Sequence, residues 1–132
     1  MPMQSHMDAA LRVVRYIKTT AGFGLLMPSE GSGKFEAYCD SDWDGCLQTR
    51  RSITGYVVKF GNALVSWKSK KQETVARSSA EAEFRSMAST VAELTWLTVL
   101  FSELGVKVTL PIDLHCDSKA AIQIAANPYF HE

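Results

Sequence analysis

The chain has 132 residues, 46% hydrophobic and 21% charged, which is the composition of a single layered globular domain and excludes a disordered or low-complexity segment. Basic and acidic residues number 14 each and cancel, so nucleic-acid binding has to come from a local patch and not from global charge. The longest nearly uncharged apolar run, 94–101, falls well short of the roughly 20 residues a bilayer span requires, so no membrane partner is expected.

Residues 1–18 mix charge with apolar side chains and have no signal-peptide core, so a secretory leader is not expected there. Within them, 7–18 read as a short amphipathic helix: Met7, Ala10, Leu11, Val14 and Ile17 recur at helical spacing, while Arg12, Arg15 and Lys18 fall elsewhere. Gly22 and Gly24 stop it. Residues 24–27 (GLLM) predict a short strand, and 28–34 a turn by composition. A strand is predicted at 35–40 (FEAYCD), then a polar connection over 42–52. The runs 53–61 and 63–68 are rich in β-branched and aromatic residues, and Gly61-Asn62 between them predicts a tight antiparallel hairpin. Ser78 with Glu81 three residues on is a capping box that opens a long helix ending at Gly105. Its apolar stripe is predicted to run through Ala80, Phe84, Met87, Val91, Leu94 and Phe101. Residues 112–116, after Pro111, predict a strand, and 118–126 a helix ended by Asn127-Pro128. Three strands, a long helix, a strand and a helix make an α/β fold. The three cysteines, Cys39, Cys46 and Cys116, are odd in number and lack CxxC spacing. They fit a reducing intracellular compartment, cytoplasmic or nuclear, without disulfides or structural zinc.

The aspartates Asp40, Asp42 and Asp44, followed by Gly45, have the front-half spacing of an EF-hand calcium loop. Position 12 of that loop is Arg51, a cation where the strongest ligand belongs, and the preceding residues read as a strand and not as an entering helix. A calcium loop is therefore excluded. A magnesium nuclease site instead needs carboxylates converging from separate elements, at the carboxyl ends of strands. Asp40 closes one predicted strand and Asp117 another, each preceded by a cysteine. On the long helix, Glu83 falls ~40° from the centre of the apolar stripe and Glu81 ~120° away, so Glu83 faces the sheet. A carboxylate on a packed face calls for a partner, and a metal ion would serve. The plainer readings stand beside this one: strand-end aspartates as turn formers, a first-turn glutamate as a dipole or capping residue, and Asp42 and Asp44 as loop residues.

Lys68, Lys70, Lys71 and Arg77 form a local positive stretch before the helix, with Arg50 and Arg51 earlier. They suit nucleic-acid phosphates, or equally a solvated edge that discourages strand pairing, and Trp67 suits either a place along sugars or one in the core. Ser66 and Ser79 have no histidine nearby for acyl chemistry, and His6, His115 and His131 show no metal-ligand spacing.

From about residue 35 onward the chain resembles the ribonuclease H domain of copia-type retrotransposon Pol polyproteins. The matching pieces are YCDSDWDG, RRSITGYVVKFGNALVSWKSKKQ, SSAEAEF, CDSKAAI and NPYFHE, in order. Residues 8–27 resemble the tail of the reverse transcriptase region in the same polyproteins. The resemblance implies two segments, a reverse transcriptase remnant over 1–34 with a helix and a short strand, and a ribonuclease H-like domain over 35–132. It implies a mixed sheet of antiparallel hairpin strands plus a parallel strand, with a long packed helix. Its activity is cleavage of the RNA strand of RNA–DNA hybrids by two magnesium ions, with manganese as a substitute and no small-molecule cofactor. Asp40, Glu83 and Asp117 then hold the metal, and the rest of a polyprotein is a further partner. The family uses a fourth carboxylate further downstream, past a last strand and in a terminal helix, and nothing before Glu132 takes that role. The expectation is a domain short of those two elements, with an exposed sheet edge. The alternative is a catalytically inactive remnant that at most binds nucleic acid or protein.

Overall fold

The computed structural model describes residues 3–127. The Pro128 helix stop, His131 and all but Asn127 of the NPYFHE motif lie outside the described residues. In chain order the elements are α1 (Gln4–Thr19), β1 (Phe35–Cys46), β2 (Arg51–Phe60), β3 (Ala63–Lys71), α2 (Ser79–Glu103), β4 (Asp113–His115) and α3 (Lys119–Ala126). The strands form one sheet in the order β3-β2-β1-β4. β1 runs antiparallel to β2, β2 antiparallel to β3, and β1 parallel to β4. This is the ribonuclease H-like mixed sheet the resemblance implies. Among the described residues, no helix is long and apolar enough to cross a membrane.

The sheet's two faces follow from strand alternation. Phe35, Ala37 and Cys39 of β1, with Ser52, Thr54, Tyr56 and Val58 of β2, are buried on one side, and α2 packs over them. Leu94 and Leu97 of α2 complete the apolar core, where the rings of Phe35, Phe60 and Phe101 meet at centroid distances of 4.8 to 4.9 Å. Gly61, at φ 59°, occupies the first central position of the β2–β3 turn, a left-handed conformation that glycine adopts without a Cβ penalty. The side-chain amide of Gln72, just past β3, donates to Thr54 Oγ1 and to the Ala82 carbonyl, both at 3.1 Å, and so fastens the start of α2 to the sheet.

Three expectations need correction. The strand predicted at 24–27 is not formed: Leu25, Leu26 and Met27 are exposed, and none of the four strands pairs with them. Four apolar residues make a strand only where a sheet edge accepts their backbone groups. The polar connection expected over 42–52 is largely strand, because β1 continues to Cys46 through a register irregularity between Asp42 and Cys46, with Asp44 at φ 59°. The buried stripe of α2 is Ala82, Glu83, Ser86, Thr90, Leu94 and Leu97, whereas Val91 is exposed.

Hydroxyl chemistry explains the rotated stripe. Ser86 is fully buried, and its Oγ donates to the carbonyls of Asp40 (2.7 Å) and Gly55 (3.1 Å), which face each other across β1 and β2. Thr90 Oγ1 donates to the Ser86 carbonyl at 2.8 Å. Short side chains with satisfied hydroxyls let the helix sit close to the strands where larger apolar residues would hold it off. Ser86→Ala is expected to lower stability by about 1–2 kcal/mol, read as a reduced urea midpoint with an unchanged slope. An unchanged midpoint would remove this bond from the account of how α2 is seated.

Candidate active site

The parallel register that pairs Tyr38 with His115 brings Asp40, midway along β1, beside Asp117, just past the end of β4. Both are exposed, and both line a cavity of about 560 Å³ together with Tyr38, His115, Cys116 and Ile122. Glu83 reaches the same place from the first turns of α2. It is only 8% exposed, whereas Glu81 faces outward, where it accepts from the Arg77 backbone N–H and pairs with Arg85. One backbone donor ties two of the carboxylates together: the Ser41 N–H reaches Asp40 Oδ1 at 2.8 Å and Glu83 Oε1 at 3.2 Å. Glu83 Oε2 is buried without a hydrogen-bond partner.

Burial holds the Glu83 carboxyl above its ordinary range, and the Asp40 charge pushes it further the same way. A buried carboxylate oxygen with no donor, facing other carboxylates, is the arrangement a cation relieves. Glu83 and Asp117, with the Cys116 sulfur, place donor atoms within 4.8 Å of one another. Asp40 adjoins this cluster through the shared Ser41 amide. The oxygen-rich set fits a hard divalent ion of the magnesium or manganese kind.

The basic residues divide. Lys68, Lys70 and Lys71 line one cavity of about 280 Å³ with Arg85, Gln72 and Thr54. Lys68 and Lys70 rise on the helix side of edge strand β3, opposite Tyr56 and Thr54, while Lys68 Nζ lies 3.4 Å from Ser89 Oγ and 5.8 Å from the Tyr56 ring centre. Arg50 stands apart, at φ 56° and ion-paired to Asp44 at 2.7 Å. Neither Arg51 nor Arg77 lines that cavity. Trp67 is exposed.

Sequence reasoning missed Arg85 and Tyr38. Arg85 had a local signal, its i,i+4 spacing from Glu81, and its guanidinium also bonds the Thr74 carbonyl at 3.1 Å. Tyr38 had none: its ring stacks on His115 at 4.6 Å through the pairing of β1 with β4, with the Lys59 ammonium of β2 at 5.6 Å from its centre. His115 Nε2 is hydrogen-bonded to Glu36 Oε1 at 3.0 Å and takes no place in the donor cluster. The thiols differ as well. Cys39 is buried, which pushes its thiol up to about 12, while the Thr49 hydroxyl and Lys71 bring the Cys46 thiol down to about 6.

Known proteins resemble the chain along its length. It is 40% identical over 131 residues to the Retrovirus-related Pol polyprotein from transposon RE1 of Arabidopsis thaliana, a match covering 99% of this chain and 9% of that protein. The corresponding polyprotein from transposon RE2 of the same plant is 41% identical over 131 residues, again 99% of this chain and 9% of the relative. Secreted RxLR effector protein 161 of Plasmopara viticola is 43% identical over 98 residues, 74% of this chain and 69% of that protein. The chain thus spans about a tenth of the length of the two polyproteins. No family model matches it. No solved structure matches it either.

Proposed function

Because the chain belongs to the retrovirus-related Pol polyproteins of copia-type transposons, we propose that it is the region that cuts the RNA strand of RNA–DNA hybrids during reverse transcription. The observation that carries this reading is Glu83, a buried carboxylate with one oxygen unpartnered, set against two exposed aspartates, Asp40 on β1 and Asp117 just past β4.

In this reading Asp40, Glu83 and Asp117 hold the metal. Glu83 is the fixed member, locked by helix packing and the Ser41 amide, and the aspartates present their charge to the cavity. When bound, magnesium brings charge neutralisation at the scissile phosphate and acidifies the attacking water. Tyr38, stacked on His115, gives the cavity wall an aromatic surface for a sugar of the bound strand. Lys68, Lys70, Lys71 and Arg85 meet phosphates from the side of β3 and α2 and carry no base information. Discrimination then comes from hybrid shape and RNA 2′-hydroxyls.

Binding tests the substrate class. In chelator, the chain is expected to bind a hybrid more tightly than duplex DNA of the same sequence. The paired variant Lys68→Gln/Lys70→Gln is expected to flatten the dependence of log affinity on log salt by about one for each phosphate it no longer neutralises. Equal affinity for both duplexes would contradict the reading, and an unchanged salt slope would take the two lysines out of the interface.

A further inference from the structure

The proposed reaction uses carboxylates only, which leaves the Cys116 thiol without a role. Its sulfur nevertheless belongs to the cluster in which, among the described residues, three metal-capable donors converge: Glu83, Cys116 and Asp117, all within 4.8 Å of one another. Magnesium and manganese favour oxygen and gain little from sulfur. Zinc binds thiolate at about 2.3 Å and carboxylate oxygen at about 2.0–2.2 Å, so tetrahedral ligation sets sulfur and oxygen about 3.6 Å apart. Donors at most 4.8 Å apart therefore close by about 1 Å, within the reach of side-chain rotation. Glu83 adds an independent observation, since it is 8% exposed and its Oε2 has no partner. The neighbouring thiol lies outside the cluster: Cys39 Sγ donates to the His115 carbonyl at 3.6 Å and also interacts with Cys116.

We infer that Glu83, Cys116 and Asp117 form a mixed sulfur–oxygen site for a thiophilic divalent cation of the zinc class. Binding displaces the Cys116 proton to solvent and creates one metal–sulfur and two metal–oxygen bonds. The sulfur site stands on its own geometry. Its regulatory meaning rests on the reading above, because a zinc-class ion here occupies two of the carboxylates assigned to magnesium and so blocks cleavage.

The test is a cobalt(II) titration of the reduced, full chain without nucleic acid, followed by the near-ultraviolet absorption of thiolate-to-metal charge transfer. One equivalent is expected to saturate the band. Zinc should bleach it, and a large excess of magnesium should not. Cys116→Ser should abolish it, Asp117→Asn should weaken cobalt affinity by about tenfold or more, and Cys46→Ser should leave it intact. Thermal melting checks that each variant folds, with Cys116→Ala read in the same way if the serine variant does not. No band in the wild-type chain overturns the proposal, as does a band that survives loss of Cys116 or vanishes with Cys46. Since no substrate is present, an inactive chain that still shows the band refutes the nuclease reading alone. Hybrid cleavage without the band refutes only the sulfur site.

Discussion

Asp40→Asn is expected to reduce cleavage of the RNA strand of a hybrid by about a thousandfold or more while leaving the fold intact. A metal-held charge at the scissile phosphate contributes several kcal/mol of transition-state stabilisation, and each 1.4 kcal/mol is about tenfold in rate. Asparagine keeps an oxygen where Asp40 Oδ1 accepts the Ser41 N–H, so the local backbone has no reason to move. What is lost is the charge. The folded state should be no less stable, because the Asp40 charge is one of the influences that push the Glu83 carboxyl up. Single-turnover cleavage at saturating enzyme, beside thermal melting, separates the two effects. A folded variant within tenfold of wild type would remove Asp40 from the site.

Glu83→Gln is expected to abolish cleavage and, unusually for a buried position, to raise stability by about 1–2 kcal/mol at neutral pH. The sign follows from linkage. Burial and the Asp40 charge place the folded-state pKa of Glu83 above the ordinary value of 4.5, so the folded chain holds this proton more tightly than the unfolded chain. That contribution is fully present below the unfolded value and is lost as pH rises through the folded one. Glutamine keeps the shape and holds permanently the neutral form that the fold favours, so it escapes that loss. The amide can also donate toward the carboxylates beside it. Urea midpoints should therefore favour the variant most at pH 7.5 and least near pH 5. Magnesium should narrow the gap by stabilising the wild-type chain alone, through mass action. A variant less stable than wild type across this range would contradict the assignment of Glu83 as a carboxyl whose charged form burial disfavours.

Local chemistry made much of this legible in the sequence. Gly61-Asn62 set the hairpin, Ser78 and Glu81 set the start of α2, and the helix phase separated buried Glu83 from outward Glu81. Asp40 and Asp117 stood out because each ends a run of strand-forming residues. The features that were not legible depend on pairings distant in sequence. Ser86 and Thr90 read as polar, yet they occupy the packed face because backbone carbonyls of β1, β2 and their own helix receive their hydroxyls. Val91 read as core and is exposed. The irregularity that carries β1 on to Cys46 has no composition signal, and Leu25 to Met27 were apolar enough to suggest a strand for which the sheet has no place. Cys116 read only as the residue before Asp117, and it is the approach of Glu83 from α2 that makes its sulfur a donor.

The most direct measurement is incubation of the purified chain with a hybrid labelled separately on its RNA and DNA strands, with magnesium or with chelator, beside single-stranded RNA and duplex DNA. The RNA of the hybrid should be shortened at internal positions only when magnesium is present. The DNA strand and both control substrates should stay whole. A chain shown by its melting transition to be folded, with magnesium bound and the hybrid RNA uncut, would contradict it.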